Sequence, residues 1–180
     1  MRSLRTRFRS FIRRFVRHDG AATVVEFALL ALPFFTLIFG IIELGLVFLV
    51  STTLENAVMA SGRTIRTGEL QNGGGTATTF KNAICANMSW LGSSCSTNLN
   101  VDVRTYTSFN AVTTPNPVVN GAFQQNQMTF TPGAASDIVV VRAYYAWTIN
   151  TPLLNAALIN MSGNQRLITA TVAFRNEPYS

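Results

Sequence analysis

Residues 27–50 read FALLALPFFTLIFGIIELGLVFLV, an apolar run broken by one ionisable side chain, Glu43. At 1.5 Å per residue such a run is long enough to cross a hydrocarbon core about 30 Å thick, so it reads as a membrane span. A cleavable secretory signal has an apolar region of about 7–15 residues followed by a small-x-small cleavage site. This run is longer and ends in Phe48-Leu49-Val50-Ser51-Thr52. An uncleaved anchor fits better.

Upstream of the span, Arg2, Arg5, Arg7, Arg9, Arg13, Arg14 and Arg17 against Asp19 carry the whole formal charge of +6, and the remaining residues are neutral. Beyond the span, Arg63 and Arg66 are offset by Glu55 and Glu69. The excess of arginine before the span predicts that the N-terminus stays in the cytoplasm. The expected organisation is a basic cytoplasmic leader over 1–20, a transmembrane helix over 21–50, a helix extension and linker over 51–72, and a periplasmic α+β domain over 73–180. In the leader, Leu4, Phe8, Phe11, Ile12 and Phe15 recur at helical spacing among the arginines. They fit either an amphipathic helix on the anionic inner leaflet or an extended leader whose charge only sets topology. The neutral remainder lacks the basic footprint that a nucleic-acid backbone requires, so no nucleic-acid partner is expected. With 48% hydrophobic and 12% charged residues, the chain calls for membrane lipid or a partner.

The apolar stripe continues past the membrane through Leu54, Ala57, Val58, Ala60 and Ile65. One helix is predicted from about residue 22 to 67, with Pro33 placed to kink it. Residues 71–76, rich in glycine, read as a flexible linker. A helix is expected over 79–90 and strands over 99–109, 138–149 and 167–174. Leu99, Val101 and Val103 alternate with polar neighbours, as do Ile168, Ala170, Val172 and Phe174 with theirs, the mark of half-buried antiparallel strands. The middle segment is apolar on both faces and belongs at the sheet centre. Residues 113–126 read as a surface loop, and 152–161 as a short helix with Pro152 in its first turn.

Cys85 and Cys95 are the only cysteines. If the residues beyond the span lie in an oxidising compartment a disulfide is expected between them; otherwise they are reduced core thiols. A zinc site lacks ligands, because the single histidine, His18, precedes the span. No metal, cofactor or catalytic residue is expected. Asp102, Asp137, Glu177, Glu55 and Glu69 are scattered, and no nucleophile has a base beside it.

Two carboxylates stand out, since ionisable groups within a span are costly and mark function by default. Glu26, followed by Phe27, either lies in the headgroup layer near the positive end of its helix or pairs with a positive group of a neighbouring subunit, such as a newly made α-amino terminus. Glu43 has Gly40 on its helical face and Gly45 close by. It is placed either at an interface with a partner helix or at the outer-leaflet headgroups.

Gly20, Glu26-Phe27-Ala28-Leu29, Pro33, Gly40-Ile41-Ile42-Glu43-Leu44-Gly45 and Asn56-Ala57 together resemble the TadE-like family of the tight adherence pilus system, whose members look like minor type IV pilins. The resemblance extends through Phe80 to Cys85, Asp102-Val103-Arg104, Ile138 to Arg142, Thr151 to Leu154 and Ala173 to Pro178. It implies a pseudopilin, not an enzyme, cleaved at its junction by a prepilin peptidase and needed to assemble Flp-type adhesive pili. The implied setting is the bacterial inner membrane, with other pilins or pseudopilins and the membrane-embedded assembly machinery as partners. One spacing departs from the family pattern. Five residues, Ala21 to Val25, separate Gly20 from Glu26 where four are usual. Either cleavage leaves Glu26 sixth, or it moves to the Ala21–Ala22 bond, or it does not occur. The reading is an α+β, type IV pilin-like chain in which one long helix carries a sheet of about three strands. The rival readings are a membrane-tethered periplasmic binding or scaffold module that is neither cleaved nor built into a pilus, and an enzyme of unrecognised type.

Overall fold

The computed structural model describes residues 19–151 and 154–179. The arrangement of the leader over 4–15 and the Pro152 start of the expected 152–161 helix lie outside the described residues. The fold is α+β: a long apolar helix leads into small antiparallel sheets. Helix α1, Asp19–Arg66, runs through Pro33 and takes in both the apolar run and the stripe beyond it. It stops at Gly68, whose φ of 78° is a left-handed conformation that glycine tolerates. The Tyr179 ring occupies the space a Cβ would need there, so no other residue fits without displacement. Glu177 N–H donates to the Arg66 carbonyl at 2.8 Å, meeting one of the acceptors the helix end leaves open.

The chain divides into two compact units, Met1–Ile42 and Glu43–Ser180. In the first, the described side chains have no core of their own. Phe27 is 70% exposed and Leu30 72%, and Leu32, Phe34, Leu37 and Ile41 are exposed on other sides of the helix. An all-round apolar surface belongs to a helix enclosed by lipid or by other helices.

In the second unit, Val50, Leu54, Ala57, Val58 and Ile65, with Ser61 between the last two, form a buried stripe at helical spacing. They pack against helix α3, Ala77–Asn87, through Phe80 and Ile84, and against one face of a three-stranded sheet. The strands are β1, Leu99–Tyr106, β4, Ile138–Thr148, and β5, Gln165–Arg175, in the order β1-β4-β5 and antiparallel throughout. The central place of β4 accounts for its two apolar faces. Val139, Val141, Ala143 and Tyr145 join the helix-side core. Tyr144 faces a second cluster with Met161 and Leu167. All three strand expectations hold within a few residues at each end.

Three segments depart from expectation. Residues 71–76 do not form a plain linker: α2, Glu69–Asn72, makes one helical turn, and the Gln71 amide donates to the Ile65 and Pro132 carbonyls. Thr76 and Thr79 then cap α3 reciprocally, each side-chain oxygen accepting the other's backbone N–H. The expected loop 113–126 contains a hairpin, β2, Val118–Val119, and β3, Ala122–Phe123, turned by Asn120 and Gly121, both at positive φ. A further short helix, α4, Ser94–Asn98, carries Cys95, and of the expected 152–161 helix one turn is present, α5, Asn155–Leu158.

Candidate functional site

The features singled out in the sequence fall on α1. Gly20, Ala21 and Ala22 lie in its first turns. Glu26 and Phe27 follow on exposed positions, and among the described residues Glu26 has no hydrogen-bond or ionic partner. Along this segment the backbone is helical throughout, although Pro33 has no N–H to give the Leu29 carbonyl. Thr36, the one hydroxyl within 27–42, returns its proton to the Leu32 carbonyl at 2.8 Å. No polar side chain on this stretch except Glu26 therefore asks for a partner in lipid. The helix from Thr23 to Arg66 is long and apolar enough to cross a membrane.

Glu43 is different. It is 5% exposed and enclosed by its own chain. The end of β4 brings the Trp147 indole N–H to Oε1 at 3.2 Å. The turn after β4 supplies three more donors to Oε2: the backbone N–H groups of Asn150 and Thr151 at 3.2 Å each and the Thr151 hydroxyl at 3.0 Å. Expected either at an interface with a partner helix or at the outer-leaflet headgroups, Glu43 ties α1 to the end of the central strand. Gly45, expected to ease close helix approach, has open space around its Cα. Trp147, Asn150 and Thr151 carry no sequence signal of this role, because they come from more than a hundred positions away.

A second buried carboxylate holds the far face of the sheet. Asp102, 1% exposed, sits opposite Arg142 in the β1–β4 register and accepts from its guanidinium at 3.4 Å. It also accepts from Arg104 Nε at 2.9 Å and from Thr129 N and Oγ1. Arg142 reaches on to the Thr113 carbonyl and Arg104 to that of Gln127. The network thus pins the 113 and 127–129 loops to the sheet. Beside it, burial pushes the Tyr144 phenol above its ordinary range, against the opposing pull of Arg142.

The other acids are dispersed. Asp137 accepts from Ala134 N–H, Glu177 pairs with Arg66 at 3.1 Å, and Glu55 and Glu69 are exposed on helices. Among the described residues no group of three or more His, Cys, Asp or Glu side chains is placed to hold a metal ion. Cys85 on α3 and Cys95 on α4 form a disulfide, with Cα atoms 5.6 Å apart. It fastens the short helices to the core, where Cys95 is fully buried.

Among the described residues, the exposed apolar helix with Glu26 near its start is an extensive surface without a core of its own. A model of the family described as TadE-like protein matches residues 20–63, the segment that holds Gly20, Glu26, Phe27 and Glu43. No curated protein and no solved structure matches the chain.

Proposed function

We propose, from the TadE-like match over residues 20–63, that this chain is a non-enzymatic, pseudopilin-like component in the assembly of tight adherence, Flp-type pili. The observation that carries the reading is where the match falls: on a helix whose inner half is apolar on all sides and without a core, continuous with a disulfide-bonded α+β unit. A helix of this kind anchors the protein in the inner membrane and then packs among the helices of other pilins or pseudopilins. The arginine-rich leader keeps the N-terminus cytoplasmic and leaves the Glu43–Ser180 unit in the periplasm, where a disulfide persists.

A prepilin peptidase cuts beside Gly20, at the Gly20–Ala21 or the Ala21–Ala22 bond, and the α-amino group it frees becomes the partner that Glu26 lacks. Phe27 takes part in the same helix packing. Glu43 acts earlier in the chain of causes: by holding the end of β4 it fixes the outer unit to the helix that assembles. The assembly machinery of the inner membrane reads that composite, and no ligand is turned over.

Intact mass and N-terminal sequencing of the protein from cells with and without the prepilin peptidase test the proposal. A new N-terminus at Ala21 or Ala22 that depends on the peptidase is the expected result. An uncleaved chain in both strains, with surface pili unaffected by its deletion, would leave the membrane-tethered scaffold module as the reading.

A further inference from the structure

Strand β5 ends the sheet, and its outer edge is free along the middle of its length. Which backbone groups point outward follows from the bonds at either end. Asn176 N–H donates to Asp137 and Asn164 accepts from Ile149, both toward the β4 side, so even-numbered residues face β4. Odd-numbered residues face away: Leu167 N–H donates to the Asn160 side chain, and Gln165 C=O accepts from Met161. At the far end Glu177 N–H is taken by the Arg66 carbonyl. Between these caps Thr169, Thr171, Ala173 and Arg175 turn their N–H and C=O groups outward with no partner among the described residues. The open stretch is about 20 Å long at about 3.3 Å per residue.

Edges of this kind are normally blunted by charge, proline or a bulge. Residues 167–174, LITATVAF, carry no charge and no proline, and the one charge on the open stretch, Arg175, stands at its end. Next to the edge, α1 and β5 leave a groove of about 600 Å³ lined by Met59, Arg63, Arg66, Val172, Phe174 and Glu177. Gly62 lets the helix approach until a Cβ there would lie 3.3 Å from the Phe174 ring, so the groove floor is apolar and tight. Arg66 is paired with Glu177, but Arg63 has no ion pair among the described residues.

We infer that the β5 edge is a docking site for an extended segment of another protein, which adds as a fourth strand and sets a carboxylate side chain against Arg63. The free backbone groups select an extended chain, since only a strand offers donors and acceptors at alternating positions. The charge selects its composition. A second copy pairing through its own β5 brings residues 167–175, which hold no acid to meet Arg63 and add the like charge of Arg175. The inference stands apart from the pilus reading, because it needs only the outer unit.

The test uses the full-length chain in detergent and a fluorescein-labelled eight-residue peptide of alternating threonine and valine with one central glutamate. Anisotropy titration is expected to show binding, weakened about 10-fold when lysine replaces the glutamate, the worth of one charge-assisted pair. N-methylation of every second peptide residue abolishes it. On the protein side Thr171→Pro removes an outward N–H and abolishes binding, and Arg63→Glu reverses the preference to the lysine peptide. No binding of either peptide, or equal binding of both with no response to Arg63→Glu, overturns the inference. The peptide substitutions and Arg63→Glu decide it even if Thr171→Pro does not fold. Sedimentation of the chain alone covers the other occupant: self-association abolished by Thr171→Lys would show that the edge serves a second copy and overturn it as well.

Discussion

The Glu43 carboxylate is costly within an apolar helix, and the Trp147 indole N–H is costly within a sheet end; each meets the other. Glu43→Gln should lower the stability of the outer unit by about 1–3 kcal/mol, because an amide placed among four donors turns one of its own N–H groups toward them. If the oxygen of the introduced amide serves the turn, its NH₂ faces the Trp147 N–H. Trp147→Phe in the same background should then cost less than it does alone, and a double-mutant cycle read by thermal unfolding in near-ultraviolet circular dichroism measures the coupling. Strict additivity would mean that the indole does not depend on Glu43. The sequence shows that Glu43 needs a partner but not where it lies, since the donors are 104 to 108 positions away and nothing local marks them. Tyr144 gives a residue-scale prediction with a sign. Burial raises its folded pKa above the unfolded value of about 10, so the neutral phenol's contribution is complete below pH 10 and is lost as pH rises through the folded pKa. Tyr144→Phe, which keeps the ring against Phe123, should therefore unfold with a smaller fall in Tm between pH 9.5 and roughly pH 11.5 than the parent does. An equal fall in both would place the alkaline sensitivity elsewhere.

Elements were legible to the degree that their pattern was local. The helix α1 and strands β1 and β5 announce themselves by period, and β4 by being apolar on both faces in a sheet where only the central strand can be. The hairpin β2–β3 was read as part of a surface loop: Asn120-Gly121 between Val118-Val119 and Ala122-Phe123 is its one local sign, and two-residue strands leave too little alternation for a period to show. The turn α2 was hidden for another reason: its Gln71 is held by carbonyls from Ile65 and Pro132, a tertiary contact that overrides a glycine-rich neighbourhood. The disulfide, expected on condition of an oxidising compartment, has its effect on the elements it joins. It closes a loop of 10 residues between α3 and α4, for which chain entropy gives about 2–3 kcal/mol. Cys85→Ser with Cys95→Ser should lower stability by that amount and leave the sheet folded, because Leu99, Val103 and β4 pack directly on α1. Loss of all near-ultraviolet signal at 25 °C would show instead that α3 and α4 are needed to form the core.

At the scale of the whole molecule the design separates a unit that folds on itself from a helix that does not. Residues 43–180 satisfy their two buried carboxylates internally, through Trp147 and Thr151 for Glu43 and through two arginines for Asp102. Glu26 differs from both: it is exposed on the apolar helix with no partner among the described residues. A carboxylate costs about 2.5–3.5 kcal/mol at the centre of a span and less near its end, so Glu26→Gln should make insertion easier, not harder. On the proposed function the glutamate instead serves assembly, by pairing with the α-amino group of a cleaved neighbour. The two accounts part in one strain. A chromosomal Glu26→Gln exchange should leave protein levels, membrane fractionation and the Cys85–Cys95 disulfide as they are, keep the outer unit as protease-resistant as the parent, and remove most surface filaments. Placing a positive side chain there, Glu26→Lys, should be no better than glutamine, since it would repel the amino group. Normal filament numbers with normal levels of Glu26→Gln protein would assign the carboxylate to the headgroup layer, where it satisfies only its own helix.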